Sequence, residues 1–224
     1  MSKLVNGFHI AVLLLGALPS GFDFNHLANS TKKEIPELGG SFPMMLPYNE
    51  GDPLPPEMPR FIFQQSNFNV QASSSRLDFD FVVEGQDKEP FIININDRMN
   101  NISKILKTIS LDLPYRIGVA LNVVFDKEGI MDSLARFIDA EKIIQSKQEI
   151  QFGYLDKSSV RYLGDSFEVN IWKRYNYNCT LNTYNCLLDI NTPLEHPLSL
   201  KNDDCENVYR EVIKNEAEVT FCDC

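Results

Sequence analysis

Phe8-His9-Ile10-Ala11-Val12-Leu13-Leu14 and Tyr115-Arg116-Ile117-Gly118-Val119-Ala120-Leu121 are the two stretches on which the fold turns. Each is a short, nearly continuous apolar run rich in branched side chains, the pattern of a strand buried in the middle of a sheet. Set side by side, they share an aromatic opening residue, Ile, Val and Leu at matched positions, with Ala11 beside Gly118. After the first run, Pro19 and Gly21 break the strand, and a short helix carried by Phe24, Leu27 and Ala28 follows before Pro36. After the second, a helix is expected over 129–142, with Ile130, Leu134, Phe137 and Ile138 on one face.

Between these starts lie strands at 60–72 and 76–84. In the second of them Leu77, Phe79, Phe81 and Val83 alternate with Arg76, Asp78 and Asp80, the mark of a half-buried antiparallel strand. The clearest helix comes next. Pro90 suits its first turn, and Ile92, Ile95, Met99, Ile102, Leu106 and Ile109 recur at spacings of three and four, which forms one apolar stripe. In the later part strands are expected at 115–125, 149–155, 160–163, 166–177 and 181–190, and a closing helix at 204–218.

The order strand, helix, several strands, helix is thus met twice. It predicts an α+β fold in which a duplicated β-α-β(n)-α unit forms a curved, mostly antiparallel sheet with helices on one face. The first half is 1–112, with a proline-rich loop at 36–59; the second is 113–224, with a cysteine-containing C-terminal tail. Seven prolines in 36–59 exclude a helix or a central strand there.

Composition narrows the function. Hydrophobic residues make up 43% of the 224 residues, enough for a substantial core, and the formal charge of -10 repels a phosphate backbone. The five cysteines (Cys179, Cys186, Cys205, Cys222, Cys224) are odd in number and none has a C-x-x-C spacing, so neither a disulfide scaffold nor a zinc site is indicated. Lys3 and the apolar run Phe8 to Leu18 have the outline of a signal peptide, yet His9 interrupts the run and no small-x-small site follows. The run is also far shorter than the ~20 residues a membrane span requires. A buried first strand, no membrane span and a cytoplasmic location are expected; secretion is the alternative if residues 1–20 are a signal.

Phosphate-loop, nucleophile-elbow and dinucleotide patterns are absent, and the three histidines (His9, His26, His196) have no metal-binding spacing. No catalytic residue, metal or cofactor is assigned. Asp78 and Asp80 project alike from one strand, beside Arg76. They read as a solvated face, with a metal-dependent enzyme as the alternative. The strand 166–177 carries the only Trp on its polar side: Asn170, Trp172 and Arg174 share that face, and Tyr175 adds aromatic surface. A partly exposed Trp beside Arg is characteristic of interface hot spots. Phe42, Met44 and Met45 in the proline-rich loop form a second candidate surface, since methionines adapt to varied apolar partners. The expected function is a non-catalytic protein-binding or scaffold subunit. A nucleic-acid-binding module on the same sheet face is the alternative, with Lys173 and Arg174 too few to offset the charge.

Pro59-Arg60-Phe61-Ile62-Phe63, Ser75-Arg76-Leu77-Asp78-Phe79 and Tyr115-Arg116-Ile117-Gly118-Val119 carry a resemblance. Over about residues 8–180 the layout resembles a sporadically distributed prokaryotic family of uncharacterised proteins found near mobile or defence genes. The resemblance implies a subunit of a multi-protein system, of antiviral-defence or toxin–antitoxin type, that binds a co-encoded protein. It implies no catalytic residues.

Overall fold

The structure, a computed structural model, describes residues 4–46, 55–86, 88–109, 113–125, 149–162, 165–178, 183–195, 197–199 and 215. The helices expected at 129–142 and 204–218, and Cys179, Cys205, Cys222 and Cys224, lie outside the described residues.

Among the described residues ten strands form one open sheet: β1 (Leu4–Leu14), β2 (Met44–Met45), β3 (Phe61–Gln64), β4 (Phe68–Ala72), β5 (Arg76–Gln86), β6 (Pro114–Phe125), β7 (Glu149–Tyr162), β8 (Asp165–Asn178), β9 (Thr183–Asn191) and β10 (Leu198–Ser199). Their spatial order is β2-β3-β4-β5-β1-β6-β9-β8-β7, with β10 pairing β6. Every strand pair is antiparallel. The α+β class and the antiparallel character agree with the sequence reading.

The two opening runs are neighbours. β1 and β6 pair along their length, with Ile10 opposite Val119, Ala11 opposite Gly118 and Val12 opposite Ile117. Ala11 and Gly118, matched when the sequences are aligned, therefore face each other in the ladder. Outward from this seam each side repeats an order: β1 is flanked by β5, then β4 and β3, and β6 by β9, then β8 and β7.

Alternation divides the sheet into two faces. One buries Phe8, Ile10, Val12 and Leu14 of β1, Leu77, Phe79 and Phe81 of β5, and Tyr115, Ile117, Val119 and Leu121 of β6. Leu188 and Ile190 of β9 and Ile171 of β8 continue the same layer. Two helices, α1 (Phe24–Glu34) and α2 (Lys88–Lys107), are described. Asp23 caps α1 by accepting the His26 N–H at 3.0 Å, and Lys32 and Lys33 close it where the dipole favours cations. Buried Leu27 and Ala28 of α1, and Ile95, Met99, Ile102 and Leu106 of α2, join the core. Ile105, outside the predicted stripe, is buried as well, so the apolar face of α2 is wider than the spacing suggested. A fork of Arg98 on Glu37 ties the 3-10 turn Pro36–Leu38 to α2 and holds the Glu37 carboxyl below the usual carboxylate range.

Two expectations need correction. The proline-rich segment, from which a helix was excluded, opens with the 3-10 turn Pro36–Leu38, whose proline stands in the first turn where its missing N–H costs nothing, while its strand β2 is two residues long and lies at the sheet edge, consistent with the exclusion of a central strand. The segments 149–155 and 160–163 are one strand, β7. The polar stretch Asp156 to Ser159 broke the apolar pattern, because the pairing with β8 does not depend on burial there.

Candidate functional site

Opposite the helices the sheet carries a second face made of the outward residues of the same strands. Three groups of side chains on it or at its edge are candidates for function.

The first is centred on His9. β1 and β5 place His9 directly opposite Asp80, and β4 places Asn69 opposite Asp80 on the other side. His9 Nδ1 lies 2.6 Å from Asp80 Oδ1, and its Nε2 lies 3.2 Å from Asp78 Oδ1. Two carboxylates on two ring nitrogens require both nitrogens to donate, so the ring is imidazolium. The hydrogen bond to Asp78, then that to Asp80, pushes the His9 pKa up to about 9, against the opposing effect of burial. Arg76 Nε donates to Asp78 at 2.7 Å, and Asn69 Nδ2 donates to Asp80 at 3.0 Å. The His9 contact holds Asp80 below its ordinary range. Two cations and two anions thus balance. Asp78 itself is only 5% exposed. The acidic pair is engaged by protein cations, which an incoming metal ion would have to displace. Among the described residues no group of three or more His, Cys, Asp or Glu is arranged to hold a metal ion.

This network makes stability depend on pH. His9 has a folded pKa raised from about 6.5 to about 9, so its contribution is complete below about 6.5 and is lost as pH rises through 9. Asp80 reports the same contact from the acid side: its depressed pKa means the contribution disappears as pH falls through the folded value. Because both groups are partly exposed, solvent screening reduces the effect to about 1–2 kcal/mol. Urea unfolding between pH 6 and 10 is expected to show that decline in the wild type, and a flatter profile in His9→Gln. Equal slopes in the two proteins would contradict the assignment.

The second group lies three strands from β1 on the same face. Trp172 of β8 is 39% exposed, opposite Leu155 of β7 and Asp189 of β9. The Arg174 guanidinium stands 5.9 Å from the Trp172 ring centroid, and its Nη2 is 3.5 Å from Asp189 Oδ2. Together they border a groove of about 650 Å³, whose other walls include Asn122, Gln151, Asn185 and Leu187. Gly153 sits opposite Arg174 in the ladder, and an added Cβ would meet the Lys173 carbonyl oxygen at 3.1 Å and Arg174 Cγ at 3.4 Å. A side chain at 153 would therefore press on Arg174 at the border of the groove. Asn176 also borders the groove, and its buried Oδ1 has no hydrogen-bond donor.

The predicted residues fall in different places. Asn170, Trp172 and Arg174 share the open face, as the alternation required. Tyr175 also borders the groove, although it has the opposite parity: its ring stacks on Tyr154 with centroids 6.4 Å apart and packs against the core, and burial pushes its phenol pKa up. Phe42, Met44 and Met45 form the third group. Phe42 is 88% exposed, with Lys32 Nζ 4.9 Å from its ring centroid. Met44 pairs with Ile62, and Met45 with Phe61. Met45 and Leu46 help line a separate pocket of about 410 Å³ with Phe22, Phe24 and Arg60. From β2 to β8 is seven strand spacings, ~33 Å across the sheet at ~4.7–4.9 Å each. The two candidate surfaces are therefore not one site.

Sequence reasoning missed Asp189, Leu187 and Leu155 around Trp172, and missed His9 altogether as a site residue. Outward parity on a paired strand was the signal, and it could be used only once the strand partners were known.

No helix among the described residues is long and apolar enough to cross a membrane. Comparison with protein-family models and with characterised proteins yields no match.

Proposed function

We propose that this chain is a non-catalytic binding subunit whose open sheet face, at the Trp172–Arg174 groove, receives another protein. The observation that carries the reading is the partly exposed Trp172 with Arg174 over its ring, on a face whose other side is closed by packing. An aromatic platform beside an oriented guanidinium, rimmed by amides, provides both apolar area and directional hydrogen bonds, the combination on which interface hot spots depend. The net charge of -10 favours a basic or neutral protein over nucleic acid. In line with the resemblance noted above, the partner is a co-encoded protein of the same cytoplasmic system, of a defence or toxin–antitoxin type.

The halves 1–112 and 113–224 are read as two copies of one unit, related by an approximate two-fold axis through Ala11 and Gly118. The shared flanking order and the self-matched central pair of the β1–β6 ladder support that reading.

A photo-crosslinking residue at position 172, in the native host, identifies the partner. The purified pair is then measured by calorimetry. Trp172→Ala is expected to weaken the complex by about 2 kcal/mol or more, roughly thirtyfold in Kd. Gln71→Ala, on the same face but in β4, is expected to leave it unchanged. Wild-type affinity in Trp172→Ala and Arg174→Ala would overturn the proposal. So would binding to nucleic acid alone that collapses with added salt.

A further inference from the structure

The Trp172 groove holds an acceptor whose hydrogen bond is not made. Asn176 borders this groove of about 650 Å³, and its buried Oδ1 accepts from no donor. A buried acceptor in that state costs free energy, which a ligand that supplies the donor recovers. Carboxamides dominate the walls around it. Gln151, Asn176 and Asn185 stand opposite one another across β7, β8 and β9, and Asn122 of β6 lines the same groove. Among the described residues that line it, Arg174 alone is charged, and Asp189 Oδ2 lies 3.5 Å from its Nη2. A chain with a formal charge of -10 thus presents, at this place, a surface without excess negative charge.

We propose that the partner seats a carboxamide side chain, of Asn or Gln, in this groove, with its amide N–H donating to Asn176 Oδ1. The proposal rests on the reading of the groove as a protein-binding site, and it names the group that the site takes. Three features select that group. The first is the acceptor itself, which demands a donor, so a carboxylate does not fit. The second is charge. A lysine or arginine would bring a donor, but it would lose its water beside Arg174, with Asp189 already engaged by that guanidinium. A buried charge without a counter-ion is costly. The third is reach. Trp172 and Arg174 stand exposed at the rim while Asn176 is half-buried, with its Oδ1 below the surface. The donor must therefore arrive on a slender tip; a main chain, carrying its own side chains, stops at the rim. A carboxamide is slender and uncharged, and its own oxygen can be met by the amides of Asn122 and Asn185.

NMR titration of the full chain tests this with acetamide, the side-chain group alone, against methylammonium, acetate and N-methylacetamide, the last a mimic of main chain. Trp172 is the one Trp, so its indole N–H gives a single reporter signal. Acetamide is expected to shift that signal and the side-chain amide signals of Asn176 along a saturable curve. The side-chain amide of Asn69, bonded to Asp80, is expected to stay in place. Asn176→Leu is expected to abolish the acetamide shift of Trp172 and to raise the urea midpoint of the free chain, because it removes an unsatisfied buried acceptor. A lowered midpoint in Asn176→Leu would show that Asn176 serves the fold, and overturns the proposal. So does a saturable shift reached with methylammonium, acetate or N-methylacetamide at a lower concentration than with acetamide, or no saturable shift with any of the four. The protein-binding reading is judged separately, by the affinity of Trp172→Ala for the crosslinked partner. Weakened binding there, without an acetamide site, leaves the protein site standing and removes the carboxamide. Wild-type affinity there removes the protein site and this proposal with it.

Discussion

Phe79→Ala is expected to lower the unfolding free energy by about 3–5 kcal/mol. Phe79 is fully buried in β5, opposite Ile10 on one side and Val70 on the other, and lies between Leu77 and Phe81 on the same strand. Truncation removes a whole ring from a layer pinned on both sides by backbone ladders. The neighbours cannot collapse into the space, and the cavity adds to the lost transfer energy. The proper control is three residues away. Val82 points from the same strand to the other face and is 55% exposed, so Val82→Ala is expected to cost less than about 0.5 kcal/mol. Urea denaturation of the two variants measures the difference. Similar losses in both would mean that the assignment of the two faces is wrong.

Asp78→Ala is the second large effect, at about 2–3 kcal/mol. Asp78 is the buried member of the charge network and accepts from both His9 and Arg76. Its removal leaves two cations facing each other without the shared anion. Breaking a fully buried pair costs about 3–5 kcal/mol, and the partial exposure of His9 and Arg76 lowers that figure because water can reach them. Asp80 is much more open, so Asp80→Ala is expected to cost only about 1 kcal/mol. NMR titration supplies an independent readout. The His9 pKa, raised to about 9 by Asp78 first and Asp80 second, should fall further in Asp78→Ala than in Asp80→Ala. The reverse order would show that Asp80 anchors the network. A pair of equivalent metal ligands would not separate in this way, so the two variants also bear on the metal-dependent alternative.

Much of the fold was legible in the sequence because burial and secondary structure coincided there. The inward Leu77, Phe79 and Phe81 lie as the alternation placed them, and Ile95, Met99, Ile102 and Leu106 form the buried stripe of α2, whereas Asp78, read as part of a solvated face, is buried against His9 and Arg76. What failed was anything that needed a partner strand. His9 looked like a blemish in an apolar run, and its meaning lies in Asp78 and Asp80, some seventy residues away in sequence. β7 was read as two pieces because a strand exposed on both faces carries no burial pattern to read. Tyr175, grouped with Trp172 for its chemistry, borders the same groove, but its ring packs to the other side because three steps along a strand reverse the face. Trp172 and Arg174, two apart, were correctly set on one side, but the groove around them draws on β6, β7 and β9 and had no local signature.

The placement of β1 has a consequence for the order of events at the ribosome. β1 is made before both its neighbours: β5 is complete only at Gln86 and β6 only at Phe125. At ~5–20 residues per second of synthesis, the run Phe8–Leu14 waits several seconds for its first ladder and longer for its second. During that wait, an apolar segment of high β-propensity stands with both sides open, a hazard for aggregation. The nascent protein therefore depends on early shielding of β1, and slowing translation between α1 and β5 would lower the yield of native protein more than slowing it after β6.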